Sequence, residues 1–217
     1  MSTEQPKRPR ETNRVRDMPA PRKSEGAAGG AAQRIFAWPY RGVLAFMLWT
    51  GVSPNQLTLL SLLLNIVCGA LILSGDWAWA GVALILGGTC DVMDGSVARH
   101  RGEAGRSGAF MDSVLDRVSD MILFSCLFWE LAETGQTTAA VLALITLVVS
   151  TAVSHVRAEA EAAAVVLTEG LFQRLERLTA LAIGLLIPGM MLPVLVLLAV
   201  LGTATLLQRS YLAVRGA

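Results

Sequence analysis

Six apolar stretches follow one another after residue 55, at 57–74, 77–98, 109–132, 137–156, 177–188 and 190–207. Most approach the ~20 residues that carry an α-helix across bilayer hydrocarbon. With 53% hydrophobic and 16% charged residues, the chain is too apolar for an ordinary soluble domain of this length. The expected fold class is all-α integral membrane, with six transmembrane helices. The fifth stretch is short and stops at Pro188.

Short turn segments, "SGDW", "ETGQT" and "IPGMMLP", separate successive stretches and suit hairpins between antiparallel helices. Six spans put both termini on one side, and charge says which side. The short loops after the first, third and fifth spans hold no Lys or Arg, so all 18 basic residues lie in the N-terminal tail, the other loops, the C-terminus or the adjoining helix ends. The positive-inside rule makes those regions cytoplasmic. The expectation is a multi-pass protein of the cytoplasmic membrane with cytoplasmic N- and C-termini. Trp77, Trp79 and Trp129 then fall at the opposite interface.

Residues 1–33 are rich in Pro, Gly, Arg and Glu and lack an apolar period, so a disordered basic cytoplasmic tail is expected there, ahead of a membrane domain over 34–217. The tail either rests on anionic lipid or stays solvated and reinforces topology. It has no apolar core of the signal-peptide kind near its start. From about 33 to 50, Arg34, Trp38, Arg41 and Trp49 mix charge with aromatic surface, which predicts an amphipathic juxtamembrane helix, and Pro54 marks a break before the first span. Cys68, Cys90 and Cys126 all lie in apolar spans without CxxC spacing; they read as small buried hydrophobes.

One stretch breaks the apolar pattern. "CDVMDGSVARHRGEAGRSGAFMDSVLDRVSD", residues 90–120, carries Asp91, Asp94, Asp112, Asp116 and Asp120. On helices, Asp91 and Asp94 stand about 60° apart and Asp112 and Asp116 about 40° apart, so each pair shares one face. The connection between Arg99 and Gly108 is short and glycine-bearing, which predicts that the second and third spans are antiparallel neighbours and that their carboxylates meet near the cytoplasmic surface. Such a cluster repels itself unless a positive charge joins it. Oxygen ligands without His or Cys favour Mg2+, Mn2+ or Ca2+ over zinc, and four carboxylates suffice for two ions, an arrangement suited to phosphoryl transfer. Gly95 opens space beside the acids, Arg99 offers a fork to a diphosphate, and Gly108 opens a helix N-terminus to anions. Two other readings stay open at this point: a structural network with Arg99, Arg106 or Arg117, and an ion or proton relay of a transporter. The clustering near one surface, away from the midplane, argues against the relay.

The pattern Asp91-x2-Asp94-Gly95-x2-Ala98-Arg99-x8-Gly108-x3-Asp112-x3-Asp116 resembles in full the signature of the CDP-alcohol phosphotransferase family. "GVSPNQLTLLSLL" at 51–63 is similar to that family's entry into its first span. The resemblance implies a membrane phospholipid-synthesis enzyme that moves a phosphatidyl group from a CDP-diacylglycerol-type donor, ester or ether linked, to a small alcohol acceptor, releasing CMP. It implies two divalent ions, Mg2+ or Mn2+, on Asp91, Asp94, Asp112 and Asp116, with Asp116 also the base for the acceptor hydroxyl. It implies a CDP-donor site formed by Asn55, Thr58, Gly95, Ala98, Arg99, Gly105 and Gly108, Gly105 standing where a related group often has Thr. An active site near the cytoplasmic face, a homodimer, membrane lipid as partner and no nucleic acid complete the expectation.

For the acceptor, the chain looks most like the branch that uses inositol phosphate. Members of that branch tend to carry Ser-Tyr-x-Lys/Arg-Ala-Arg-Ala-Glu and Glu-Arg-Pro-Glu-Arg segments; this chain has "SHVRAEAE" at 154–161 and "QRLER" at 173–177. Arg157, Glu161, Arg174, Glu176 and Arg177 match, whereas His155, Glu159, Gln173 and Leu175 depart. A carboxylate at 159 in place of a base shifts local charge by two, but Arg157, Arg174 and Arg177 still offer three cations to an acceptor phosphate. Their alternative role is that of juxtamembrane anchors paired with Glu169 or Glu176. His155 reads as a hydrogen-bonded helix-packing residue. Inositol phosphate comes first as acceptor, then glycerol phosphate, then an unphosphorylated alcohol such as serine or inositol.

Overall fold

In a computed structural model the backbone is described over residues 29–165 and 174–216, and side chains from residue 40. The tail over residues 1–28, and Gln173 and Glu169, lie outside the described residues. Among the described residues there are seven helices and no strand: α1 (Gly29–Thr50), α2 (Pro54–Leu73), α3 (Trp77–Arg101), α4 (Arg106–Glu133), α5 (Thr137–Ala162), α6 (Arg174–Leu186) and α7 (Met191–Gly216). Four of them, α2, α3, α5 and α7, are long and apolar enough to cross a membrane. The α4 helix runs 28 residues but carries Arg106, Asp112, Asp116, Arg117 and Asp120 between its start and its middle, and the described part of α6 has 13 residues.

Local chemistry sets the breaks between helices. Ser53 caps α2 reciprocally with Gln56: the Ser53 Oγ accepts from the Gln56 amide, and the Gln56 Oε1 accepts from the Ser53 amide at 2.9 Å. Pro54 occupies the first helical position, where it loses no hydrogen bond. Gly102 closes α3 with φ +70°, a conformation glycine takes without strain. Pro188 ends α6 two residues ahead of itself. The α1 helix starts at Gly29, ahead of the expected residue 33, because Ala31, Ala32, Gln33 and Arg34 are strong helix formers.

The packing order corrects one expectation. Although α3 and α4 are joined by a short connection, they do not pack directly on each other; α2 packs against both. Small residues make that insertion possible. A Cβ added to Gly87 of α3 would sit 3.3 Å from Leu64 of α2, and one added to Gly69 of α2 would sit 2.9 Å from the Cys126 Sγ of α4. Asn65 of α2 donates to Ser119 of α4 at 3.4 Å. The antiparallel-neighbour expectation treated sequence adjacency as spatial adjacency, and close packing through glycines overrode it. Further contacts pair α3 with α1 and α6, α4 with α5, and α7 with α5 and α6.

The main core joins Cys68 and Ile72 of α2, Leu84 of α3, Phe124 and Leu127 of α4, Leu181 of α6 and Leu195 of α7. A smaller cluster, Leu44, Leu57, Met93 and Val97, fixes α1 onto the ends of α2 and α3. Outward faces of α2, α5 and α7 leave Leu59, Leu63, Val148, Val200 and Leu207 exposed, the surface expected of helices that face lipid chains instead of water.

Candidate active site

Asp91 and Asp94 sit in the last three turns of α3, and Asp112 and Asp116 in the second and third turns of α4. Helical spacing turns each pair toward one side, and the gap left between α3 and α4 lets the two sides face each other. One carboxylate oxygen each from Asp91, Asp112 and Asp116 lies within 4.8 Å of the others. Three acids at that separation are tolerable only with compensating positive charge. Arg174, at the start of α6, supplies it. Its Nη1 pairs with Asp91 Oδ2 and, at 2.9 Å, with Asp116 Oδ1.

That guanidinium is a stand-in cation. Its position shows that the carboxylates are oriented to hold positive charge, and an all-oxygen donor set suits a hard divalent ion such as Mg2+ or Mn2+. Asp94 is outside the three-carboxylate group. Its Oδ2 accepts the Thr58 hydroxyl of α2 at 2.6 Å, and its Oδ1 accepts the Gly95 amide. Thr58, expected to serve the donor, is therefore joined directly to a carboxylate of the acidic signature.

The remaining residues expected on the donor side gather at the same end of the helices. Gly95 leaves room for Arg99 to fold back along α3: a Cβ there would be 3.2 Å from the Arg99 Nη1. Arg99 donates to the Ser96 Oγ at 3.1 Å, and Tyr40 of α1 donates to the same oxygen at 2.7 Å. The Ser96 hydroxyl in turn donates a hydrogen bond to the Val92 carbonyl. Tyr40 and Ser96 thus hold Arg99, a role sequence reasoning missed because neither belongs to the signature and they are 56 positions apart. Asn55 is exposed at the start of α2, Ala98 is half-buried, Gly105 precedes the first turn of α4 in an extended conformation, and Gly108 has open space where a Cβ would stand.

The three arginines expected at the acceptor phosphate separate. Arg174 is on the acidic cluster. Arg177, one turn on, pairs with Asp120, whose Oδ2 also accepts from Ser150 of α5 at 3.0 Å. Arg157 pairs with Glu161 at 2.9 Å on the outside of α5. The anchor alternative placed Glu169 or Glu176 opposite Arg174 and Arg177; among the described residues Arg174 pairs with Asp91 and Asp116, and Arg177 with Asp120. Asp120, given no role from sequence, is buried. The only signal for it was its place four residues after Asp116, on the same helix face. A small cavity of about 20 Å³ beside Arg177, lined by Thr146, Ser150, Gly202 and Thr205 among others, has room for about one water. His155 is exposed, 3.9 Å from Glu159, and so is not the helix-packing residue expected.

Comparison with known proteins follows the same line. Residues 51–209 match the family described as CDP-alcohol phosphatidyltransferase. The chain is 38% identical over 154 residues to a phosphatidylinositol phosphate synthase of Corynebacterium glutamicum, covering 70% of each chain. It is 33% identical over 163 residues to an archaetidylinositol phosphate synthase of Pyrococcus horikoshii, covering 74% of this chain and 83% of that one. The fold is similar to the crystal structure of Mycobacterium tuberculosis phosphatidylinositol phosphate synthase with CDP-DAG bound, with TM-score 0.71 and 27% identity over 79% of this chain and 92% of that chain. The same enzyme in complex with manganese and citrate gives TM-score 0.69 at 27% identity, covering 79% and 87%.

Proposed function

Because the chain belongs to the CDP-alcohol phosphatidyltransferase family, we propose that it transfers the phosphatidyl group of CDP-diacylglycerol to inositol phosphate, releasing CMP. The observation that carries this reading is the convergence of Asp91, Asp112 and Asp116 from two helices around the positive charge of Arg174, with Arg99 about two turns beyond Asp91 on the same helix. The acceptor follows from relatives that are phosphatidylinositol phosphate and archaetidylinositol phosphate synthases, and the donor from a similar structure with CDP-DAG bound.

In this reading Asp91, Asp94, Asp112 and Asp116 hold two divalent ions. Bound there, such ions neutralise diphosphate charge. Asn55, Thr58, Gly95, Ala98, Arg99, Gly105 and Gly108 form the donor site. Arg99, fixed by Ser96 and Tyr40, pairs with the donor phosphates, and Gly95 and Gly108 keep side chains out of their path. Thr58 orients Asp94 through its 2.6 Å hydrogen bond. Arg157, Arg174 and Arg177 supply positive charge for the acceptor phosphate. The acceptor oxygen forms a bond to the lipid-bearing phosphorus as the bond to the CMP oxygen breaks, and Asp116 takes the hydroxyl proton. Asp116 is half-buried and pairs with Arg174 at 2.9 Å, so it serves as base once that guanidinium turns away.

The membrane arrangement belongs to the same proposal. α2 to α7 make six spans, α1 lies in the interface as a juxtamembrane helix, both termini are cytoplasmic, and the active site opens at the cytoplasmic face of the cell membrane. Residues 34–217 form the catalytic domain behind a basic tail over 1–33, and two copies associate through apolar faces that the single chain leaves exposed.

Purified protein given CDP-diacylglycerol and Mn2+ tests the acceptor. CMP release with inositol phosphate should exceed that with glycerol 3-phosphate or free inositol by about tenfold or more, since a lost charged contact costs that much. Preference for either of the others overturns the acceptor assignment.

A further inference from the structure

Two ion pairs join α4 and α6 as successive rungs. Asp116 and Arg174 form one; Asp120 and Arg177, four and three residues further along their helices, form the next. The rungs differ in their access to solvent. Side chains of the first are 25% and 21% exposed, those of the second 9% and 12%. They also differ in what surrounds them. The inner rung receives a hydroxyl from Ser150 and abuts α5, so it is fixed on three helices. Among the described residues the half-buried carboxylates of the outer rung have no such hydroxyl donor, and its arginine is shared between Asp116 and Asp91.

We propose that Arg174 is the resident counter-ion of the carboxylate cluster, a side chain that competes with divalent cations for Asp91 and Asp116, and that Asp120, through Arg177, is the positioning residue that holds it there. The role rests on the divalent-cation reading above. The chemistry is competition of like charges for one set of oxygens. A guanidinium already paired with two of the three carboxylates must leave before a metal ion takes those oxygens. It cannot go far, because the next turn of its helix is tied to Asp120. The displaced group therefore stays at the rim of the site, where an anionic acceptor meets it. A cluster that would repel itself when empty is neutral enough to fold, and a cation for the substrate phosphate appears only when the metals are in place.

The test is Mn2+ affinity, measured by calorimetry or by electron paramagnetic resonance on the full-length protein in detergent, with no nucleotide or acceptor. Arg174→Gln should bind Mn2+ about tenfold more tightly than wild type, within the usual range for two ligands coupled through one site. Arg174→Lys, which keeps the charge, should lie between the two. The charge-neutral pair change Asp120→Asn with Arg177→Gln should tighten Mn2+ binding about threefold in the wild-type background and leave it unchanged in the Arg174→Gln background, as positions acting through one side chain do not add. Equal or weaker Mn2+ binding by Arg174→Gln, with wild type binding normally, overturns the counter-ion role and leaves the metal reading standing. An equal effect of the pair change in both backgrounds overturns the positioning role of Asp120. Absence of Mn2+ binding in wild type and Arg174→Gln alike overturns the metal reading and this role with it. Should the pair change fail to give monodisperse protein, Ser150→Ala, which removes one hydrogen bond from Asp120, replaces it with the same two-background comparison.

Discussion

The two halves of the helix bundle are held together by different forces. Around Phe124, Leu127, Leu181 and Leu195 the contacts are apolar and redundant: each side chain touches several others, and none is chemically special. Around Asp91, Asp116, Arg174 and Arg177 the contacts are few, directional and charged. In a bilayer the first kind gains little from leaving water, since lipid is as apolar as leucine, and rests on close packing. The second kind gains from excluding water, which strengthens each pair and makes each loss expensive. The apolar half therefore tolerates substitution with graded loss of stability, whereas the charged half loses function at single atoms.

The sharpest way to break that contrast is Asp116→Asn. It keeps shape and removes the proposed base, so CMP release should fall about a thousandfold, as for loss of a general base, while the protein stays monodisperse on size exclusion. Retained activity would remove Asp116 from the chemistry. Next comes Phe124→Ala in the apolar half. Phe124 is fully buried, and truncation leaves a cavity with the lipid-transfer part of the usual cost absent, so thermal unfolding in detergent should report about 2 kcal/mol of destabilisation. Activity per folded molecule should stay near wild type; a thousandfold loss there would erase the division between halves.

Thr58→Val sits on the border. It deletes the 2.6 Å hydrogen bond to Asp94 while keeping volume, and should lower kcat/KM for the CDP-linked donor about tenfold, the value of one hydrogen bond to a charged group. The smallest effect belongs to His155→Ala, an exposed side chain whose charged partner Glu159 is 3.9 Å away. Exposed pairs of this kind contribute little, so steady-state rates should remain within about twofold of wild type. A larger fall would show that the departure from the branch pattern at 155 carries acceptor recognition.

Much of the helical layout was legible in the chain. Apolar length located α2, α3, α5 and α7, Pro188 and the glycine-bearing connection after Arg99 located breaks, and of the four carboxylates that the Asp spacing was expected to bring together, Asp91, Asp112 and Asp116 form one group. Each of these signals is local: length, a restricted φ, or a helical repeat acts within a few turns of one helix. What was not legible involved partners far apart in sequence. Arg174 reaches Asp91 across 83 positions and Arg177 reaches Asp120 across 57. Charge alone left open whether those arginines served a substrate, an anchor or a carboxylate.

From its residues alone the chain was bound to make apolar helices with an acidic pair toward one end of each of two of them, because hydrophobic length and 3.6-residue periodicity act without reference to the rest of the fold. Tertiary structure decided that α2 lies between α3 and α4, that Tyr40 and Ser96 hold Arg99, and that α6 lays Arg174 and Arg177 against α4. Those outcomes depend on which glycines let which backbones approach, and on the cost of leaving a carboxylate in a water-poor interior without a cation. Both are properties of the assembled bundle, in which distant residues first share a dielectric.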